Sequence, residues 1–265
     1  MSDAALRGAL ASGDPGVRLA ALEELGARPR ALDEATALVV AACLVGPGKS
    51  LQRRAADALR LGGAGSHPAV VTRLRAECGA ADSERAWGAA YALGQLGVVE
   101  AALIAPILAA LASADGDRRW AAAELLVACG QADAAATLPA IFAALETGSP
   151  PQRKMLLYVL RDLAPPGAAA TAAFAARMRD PDAGVRHAAL SGLVRLDPRP
   201  PGAAALVLAM LQDDPDPGLR RAAASTLGRL GADPAVDEAL RAAEASDDPA
   251  LRRAAAAARR ALPES

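Results

Sequence analysis

The sequence predicts an all-α protein of the α-solenoid class, built from about eight stacked helical hairpins, and three observations carry that prediction. Alanine fills 73 of the 265 positions, and alanine is both the strongest helix former and a side chain small enough for close helix packing. Strand formers never cluster in alternating runs, and aromatic residues make up only 2% of the chain. One phrase also returns: "DPGVRLAALEELG" at 14–26, "DPDAGVRHAALSGLVRLD" at 180–197 and "DPDPGLRRAAASTLGRLG" at 214–231.

The register of that phrase fixes the domain organisation. With the arginine of D-x-x-V-R-x-x-A-A-x-x-L as position zero, Arg18, Arg119, Arg153, Arg186, Arg220 and Arg252 hold the column, and Gln52 and Ala86 replace it in two units. Successive steps are 34, 34, 33, 34, 33, 34 and 32 residues. A fixed period of this length marks a repeat array. Eight units fill residues 1–265 as a single repeat domain.

Each unit reads as two helices. Four residues before position zero stand Asp14, Gly48, Asp82, Asp115, Ser149, Asp182, Asp216 and Asp248. A carboxylate or hydroxyl there can accept from an orphan helix N–H. Pro15, Pro150, Pro217 and Pro249 follow at the first helical position, where proline's missing donor costs nothing. The second helices are expected near 14–26, 48–62, 82–96, 115–129, 149–163, 182–196, 216–230 and 248–262. Shorter apolar first helices lie between them, such as "AATLPAIFAALE" (135–146) and "AALVLAMLQ" (204–212).

The pattern D-x-x-V-R-x-x-A-A-x-x-L-G-x-L-G at this spacing resembles the short HEAT-like repeat of the phycobilisome-lyase type, over essentially the whole chain. The resemblance implies a right-handed α-α superhelix, with first helices outside and second helices lining a concave face. It also implies that the repeated Asp and Arg tie neighbouring repeats together, which makes the arginine column architecture. The gaps at Gln52 and Ala86 then imply a weaker, more flexible ladder between repeats two and three. Lyase activity does not follow, because a fold does not carry a function.

Composition narrows the chemistry. A formal net charge of −1 argues against wholesale attraction to nucleic acid or anionic lipid. Cys43, Cys78 and Cys129 lie far apart among alanines and leucines, as buried free thiols of a reducing compartment do. The N-terminus lacks the basic start and apolar stretch of a secretory signal, and runs such as "ALIAPILAALA" (102–112) are too short to span a bilayer. A cytoplasmic protein is expected. The only histidines, His67 and His187, have no metal-ligand spacing. "GPGKS" (46–50) lacks the spacing and preceding strand of a phosphate loop. No metal, cofactor or catalytic residue is predicted, and the chain reads as a non-enzyme.

Helical geometry then sorts the second helices by face. Positions −1, +3, +4, +7 and +10 share one apolar side, and positions +1 and +5 point away from it. Position +1 reads Leu19, Arg53, Trp87, Trp120, Lys154, His187, Arg221 and Arg253, and position +5 reads Glu23, Asp57, Tyr91, Glu124, Tyr158, Ser191, Ser225 and Ala257. Both tryptophans and both tyrosines of the chain fall in these two columns. Aromatic side chains of this kind dominate binding hot spots. The candidate groove therefore comprises Trp87, Tyr91, Trp120, Glu124, Lys154, Tyr158, His187, Arg195 and Arg221. The function expected is a scaffold that grips a protein or peptide, the basic flank of repeats six to eight favouring acidic residues. Two alternatives share the face: nucleic-acid binding in the manner of HEAT-like DNA glycosylases, and a chaperone or lyase for a bilin-like planar ligand.

Overall fold

A computed structural model describes residues 2–45, 48–196, 200–230 and 234–262. Among these residues every regular element is helical. The pairs run α1 (Asp3–Leu10) and α2 (Pro15–Ala27), α3 (Glu34–Ala42) and α4 (Lys49–Leu61), α5 (Pro68–Cys78) and α6 (Ser83–Gln95), α7 (Ile104–Leu111) and α8 (Gly116–Ala132). They continue as α9 (Ala134–Thr147) and α10 (Pro150–Leu163), α11 (Ala168–Arg177) and α12 (Ala183–Leu193), α13 (Ala203–Asp213) and α14 (Pro217–Leu230), α15 (Pro234–Glu244) and α16 (Pro249–Arg260). Short 3₁₀ turns precede α4, α5 and α7. The second helices start within a residue or two of the expected positions. α12 ends early, because the Arg195 and Leu196 amides turn back onto Gly192 and Leu193.

The aspartates explain where these helices begin. Asp14, Asp82, Asp115, Asp182, Asp216 and Asp248 each accept from a backbone N–H of the first turn, at 2.6–2.9 Å for the closest bond. Ser149 makes no such side-chain bond, and Gly48 has no side chain to offer. Gly46 and Pro47 of the GPGKS run lie outside the described residues.

The helices gather into two compact units, residues 1–143 and 144–265. In the first unit α2, α4, α6 and α8 pack in succession, with α1, α3 and α5 forming a second layer. In the second unit α10, α12, α14 and α16 pack in the same way, backed by α11, α13 and α15. The core is the apolar register: position +3 is buried in all eight repeats, and position +7 is a buried leucine in the first seven. Small residues set the spacing. A Cβ on Gly228 would stand 2.8 Å from Ala258 Cα, and one on Gly192 would stand 2.0 Å from the Phe174 ring. Any side chain there forces neighbouring helices apart.

Position zero holds the repeats in register. Arg119, Arg153, Arg186, Arg220 and Arg252 each aim Nη1 at a carbonyl five or six residues upstream, at 2.6–2.8 Å, and so close their own loop. Arg153 and Arg186 also fork forward. Arg153 grips Asp180 at 2.8 and 2.7 Å, and Arg186 grips Asp214 at 2.8 and 2.9 Å. Both acceptors stand six residues before the next repeat's arginine, and each also takes the amide two residues on. The same place in the last repeat is Ser246, so Arg221 reaches Asp248 instead, at 3.1 Å.

The expected weak link between repeats two and three is filled. Gln52 is only 3% exposed. It donates to Leu44 O at 3.2 Å and Glu84 O at 3.1 Å, closing its own loop and reaching the next repeat as an arginine would. Gly88 permits the approach, since a Cβ there would stand 2.7 Å from Leu44 O. Beyond Ala86, Arg118 takes over and pairs with Glu84, at 2.7 Å for Nη2–Oε2.

The Arg186 and Asp214 side chains are 9% and 3% exposed. Removing one partner of a buried pair strands the other charge, at a cost of about 3–5 kcal/mol. Asp214→Ala should therefore lose about that much stability in urea melts, and Arg186→Leu with Asp214→Leu should lose less than the single change. Asp180 adds a pH dependence. Burial pushes its carboxyl up, but hydrogen bonds from Arg153 and the Asp182 amide hold it below the usual range. A depressed carboxylate stabilises the fold above its unfolded value, near 3.9. That contribution is lost as pH falls through the lower folded value. Acid melts should show Asp180→Asn less pH-sensitive than the parent below about pH 4.

Candidate functional site

The candidate residues divide between the units: Trp87, Tyr91, Trp120 and Glu124 in the first, and Lys154, Tyr158, His187, Arg195 and Arg221 in the second. In the first unit, Trp120 opens the outward side of α8 and is 53% exposed. Glu124, one turn on, is exposed, while Ala122, Ala123 and Leu126 of the same helix are buried. This is the two-faced helix the register requires.

Trp87 departs from the expectation. It stands at the same register position on α6, yet it is 6% exposed. Its ring packs against Tyr91, centroids 5.6 Å apart and tilted by 33°. Trp87 and Tyr91 form the floor of a cleft whose walls are Lys49, Gln52, Arg53, Asp115, Arg118 and Ala121. Lys49, at the start of α4, pairs with Asp115 at 3.2 Å and Asp117 at 2.7 Å, and Arg53 stands 3.7 Å from Asp117. Sequence register could not show this, because the covering side chains come from α4 and α8 on either side of α6. The cleft is about 20 Å³, room for about one water molecule. Tyr91 is half-buried, and burial with the Asp57 carboxylate raises its phenol above the ordinary value.

In the second unit the outward face changes character. Tyr158 on α10 is half-buried, with the Arg161 guanidinium 4.9 Å from its ring centroid. Lys154, one turn before it, lies along α12 where Gly184 leaves room. His187, Arg195, Arg229 and Arg253 are exposed, and among the described residues none of them takes part in an ion pair. Arg221 is half-buried and is held by Asp248. Positions +1, +5 and +9 of repeats six to eight carry four arginines, a histidine and no carboxylate, with Arg195 in the turn that follows α12. Arg229 and Arg253 belong to the basic flank expected of repeats six to eight. Their position in the register is the signal that finds them.

The remaining reactive groups are structural. His67 sits 2.7 Å from Leu32 O. Cys43, Cys78 and Cys129 are free and buried, and burial pushes the Cys78 and Cys129 thiols up to about 11. Such thiols are poor nucleophiles. Among the described residues no group of three or more His, Cys, Asp or Glu side chains is placed to hold a metal ion. No helix among them is long and apolar enough to cross a membrane.

Residues 171–259 match the family model for HEAT repeats. No curated protein matches the sequence. Solved structures share the fold over nearly the whole chain. The Escherichia coli protein YibA is 15% identical with a TM-score of 0.59, over 100% of this chain and 93% of that one. An importin β structure is 14% identical with a TM-score of 0.63, over 98% of this chain and 39% of that one. Kap95p, which binds RanGDP, is 13% identical with a TM-score of 0.61, also over 98% and 39%. The chain thus spans 39% of the length of the importin β and Kap95p chains. Residues 171–259 thus match HEAT repeats, and the chain shares the all-helical α-solenoid fold of these structures.

The two tryptophans should separate in stability. Trp120→Ala should shift the melting temperature by no more than about 2–4 °C, equivalent to roughly 1 kcal/mol in a chain of this size. Trp87→Ala should cost about 3–5 kcal/mol, as truncation of a buried aromatic does. Paired thermal melts check both.

Proposed function

We propose that this chain is a non-enzymatic scaffold that binds a protein or peptide partner through the outward faces of its second helices. Trp120 carries the reading. Among the described residues it is the most exposed large apolar side chain, on a helix whose opposite face already supplies the core. An indole more than half exposed buries little of its area in the fold. Binding can use that area, because a Trp offers a large rigid contact area at small entropic cost.

The second unit supplies the partner's chemistry. Arg195, Arg229 and Arg253 stand exposed and, among the described residues, outside any ion pair, a surface that favours acidic residues and speeds their encounter. The outward positions of α12, α14 and α16 carry no phenylalanine, tyrosine or tryptophan on which bases could stack, which supports protein over single-stranded nucleic acid. Buried free thiols fit a reducing cytoplasm. Kap95p offers a precedent for a protein partner on this fold.

Immobilised protein, incubated with native-cell extract at physiological salt, tests the reading. A defined protein should be retained after nuclease treatment. Trp120→Ala should weaken its retention by more than about ten-fold, as loss of a hot spot does. Arg195→Glu with Arg229→Glu should weaken it further and flatten its salt dependence. Duplex DNA should bind only with non-specific affinity, about 10⁻⁴–10⁻⁶ M. Nuclease-sensitive capture, or retention indifferent to Trp120, would overturn the proposal.

A further inference from the structure

The ion pairs over the Trp87–Tyr91 cleft differ from every other tie between repeats. The arginine forks join neighbours 27 or 28 residues apart, whereas Lys49 bonds to Asp115 and Asp117 across 66 and 68 residues, skipping a repeat. The helix skipped is α6, which carries Trp87 and Tyr91. Local helix energetics do not favour Lys49 where it stands. It is the first residue of α4, at the positive end of the helix, and Gly48 gives no side-chain cap. The two aspartates are what hold it. Both cations remain 43–44% exposed at their side chains, and Asp117 is 62% exposed. Such pairs are weak and are screened by salt.

We propose that Lys49, Arg53, Asp115 and Asp117 form an ionic strap that keeps Trp87 covered in the free protein, and that an acidic segment of a partner opens it by taking Lys49 and Arg53 from Asp117. The strap's aspartates occupy the cations as a partner's carboxylates would, so closure is self-competition. Opening removes the α4-to-α8 bridge above α6. Trp87 and Tyr91 then join Trp120, which holds the same register position as Trp87 on the next second helix. The outward surface of the first unit grows from one exposed aromatic to three. The partner half of this inference rests on the scaffold reading, while the strap itself stands independently of it.

Tryptophan fluorescence of the full chain carrying Trp120→Phe tests both halves, because Trp87 is then the only indole. At about 0.1 M salt its emission should be blue and protected from acrylamide. Raising salt to about 1 M, which shortens the screening length from about 10 Å to about 3 Å, should increase the quenching constant about two-fold or more and shift emission to the red. Lys49→Ala with Arg53→Ala should give the open signal at low salt with helical circular dichroism unchanged. Should that variant fail to fold, the salt titration of the intact strap decides alone. A Trp87 that stays protected at high salt overturns the strap. Poly-glutamate at low salt should open the strap in the Trp120→Phe protein and change nothing further in the Lys49→Ala/Arg53→Ala protein. Opening by salt but not by poly-glutamate overturns the acidic trigger, and leaves the scaffold reading to its own capture test.

Discussion

A guanidinium planted at the head of five of the eight second helices, with the Gln52 amide in its place on α4, is the constraint from which the rest of the structure follows. Its Nη1 closes the loop behind it, and at Arg153 and Arg186 its other edge grips the next repeat's carboxylate. That carboxylate in turn fixes the amide entering the following helix. One side chain therefore sets loop, neighbour and helix start together. The bidentate geometry of arginine suits this, because a planar fork locks register where a flexible ammonium would not. Once the register is locked, positions +3 and +7 must face inward and position +1 outward.

The outward face is thus a by-product of packing, free to vary in chemistry. In the first unit it carries an exposed Trp120 on α8 and, on α6, a buried Trp87 packed against the half-buried Tyr91. In the second it carries Arg195, Arg229 and Arg253, outside any ion pair among the described residues, beside Arg221 held by Asp248. A scaffold that meets a partner through both would combine an apolar anchor with electrostatic steering, which divide affinity and encounter rate between them. Charge on the chain as a whole, −1, conceals this local excess.

Much of this was legible in the residues alone. The aspartate caps announced six helix starts, and the leucines at +7 announced the core. Other features were hidden for identifiable reasons. Gln52 reads as a missing arginine, yet a buried amide can reach both its own loop and the next repeat when Gly88 leaves space. Trp87 reads as exposed because register describes one helix at a time. It shares a cleft with Lys49 and Asp115, which bond to each other across 66 residues. Asp180 and Asp214 stood in the sequence at one offset, and only the geometry shows why that offset takes a carboxylate. Ser149 matched the cap pattern without making the bond.

Site-specific photo-cross-linking in the native cell tests most directly whether the outward face is the working surface. A photoreactive residue would replace Trp120 or Ser225 on second helices, and Thr72 or Ala172 on first helices, all four exposed. The account predicts a discrete protein adduct from Trp120 and Ser225 and none from Thr72 or Ala172. Adducts confined to the first-helix positions would contradict it.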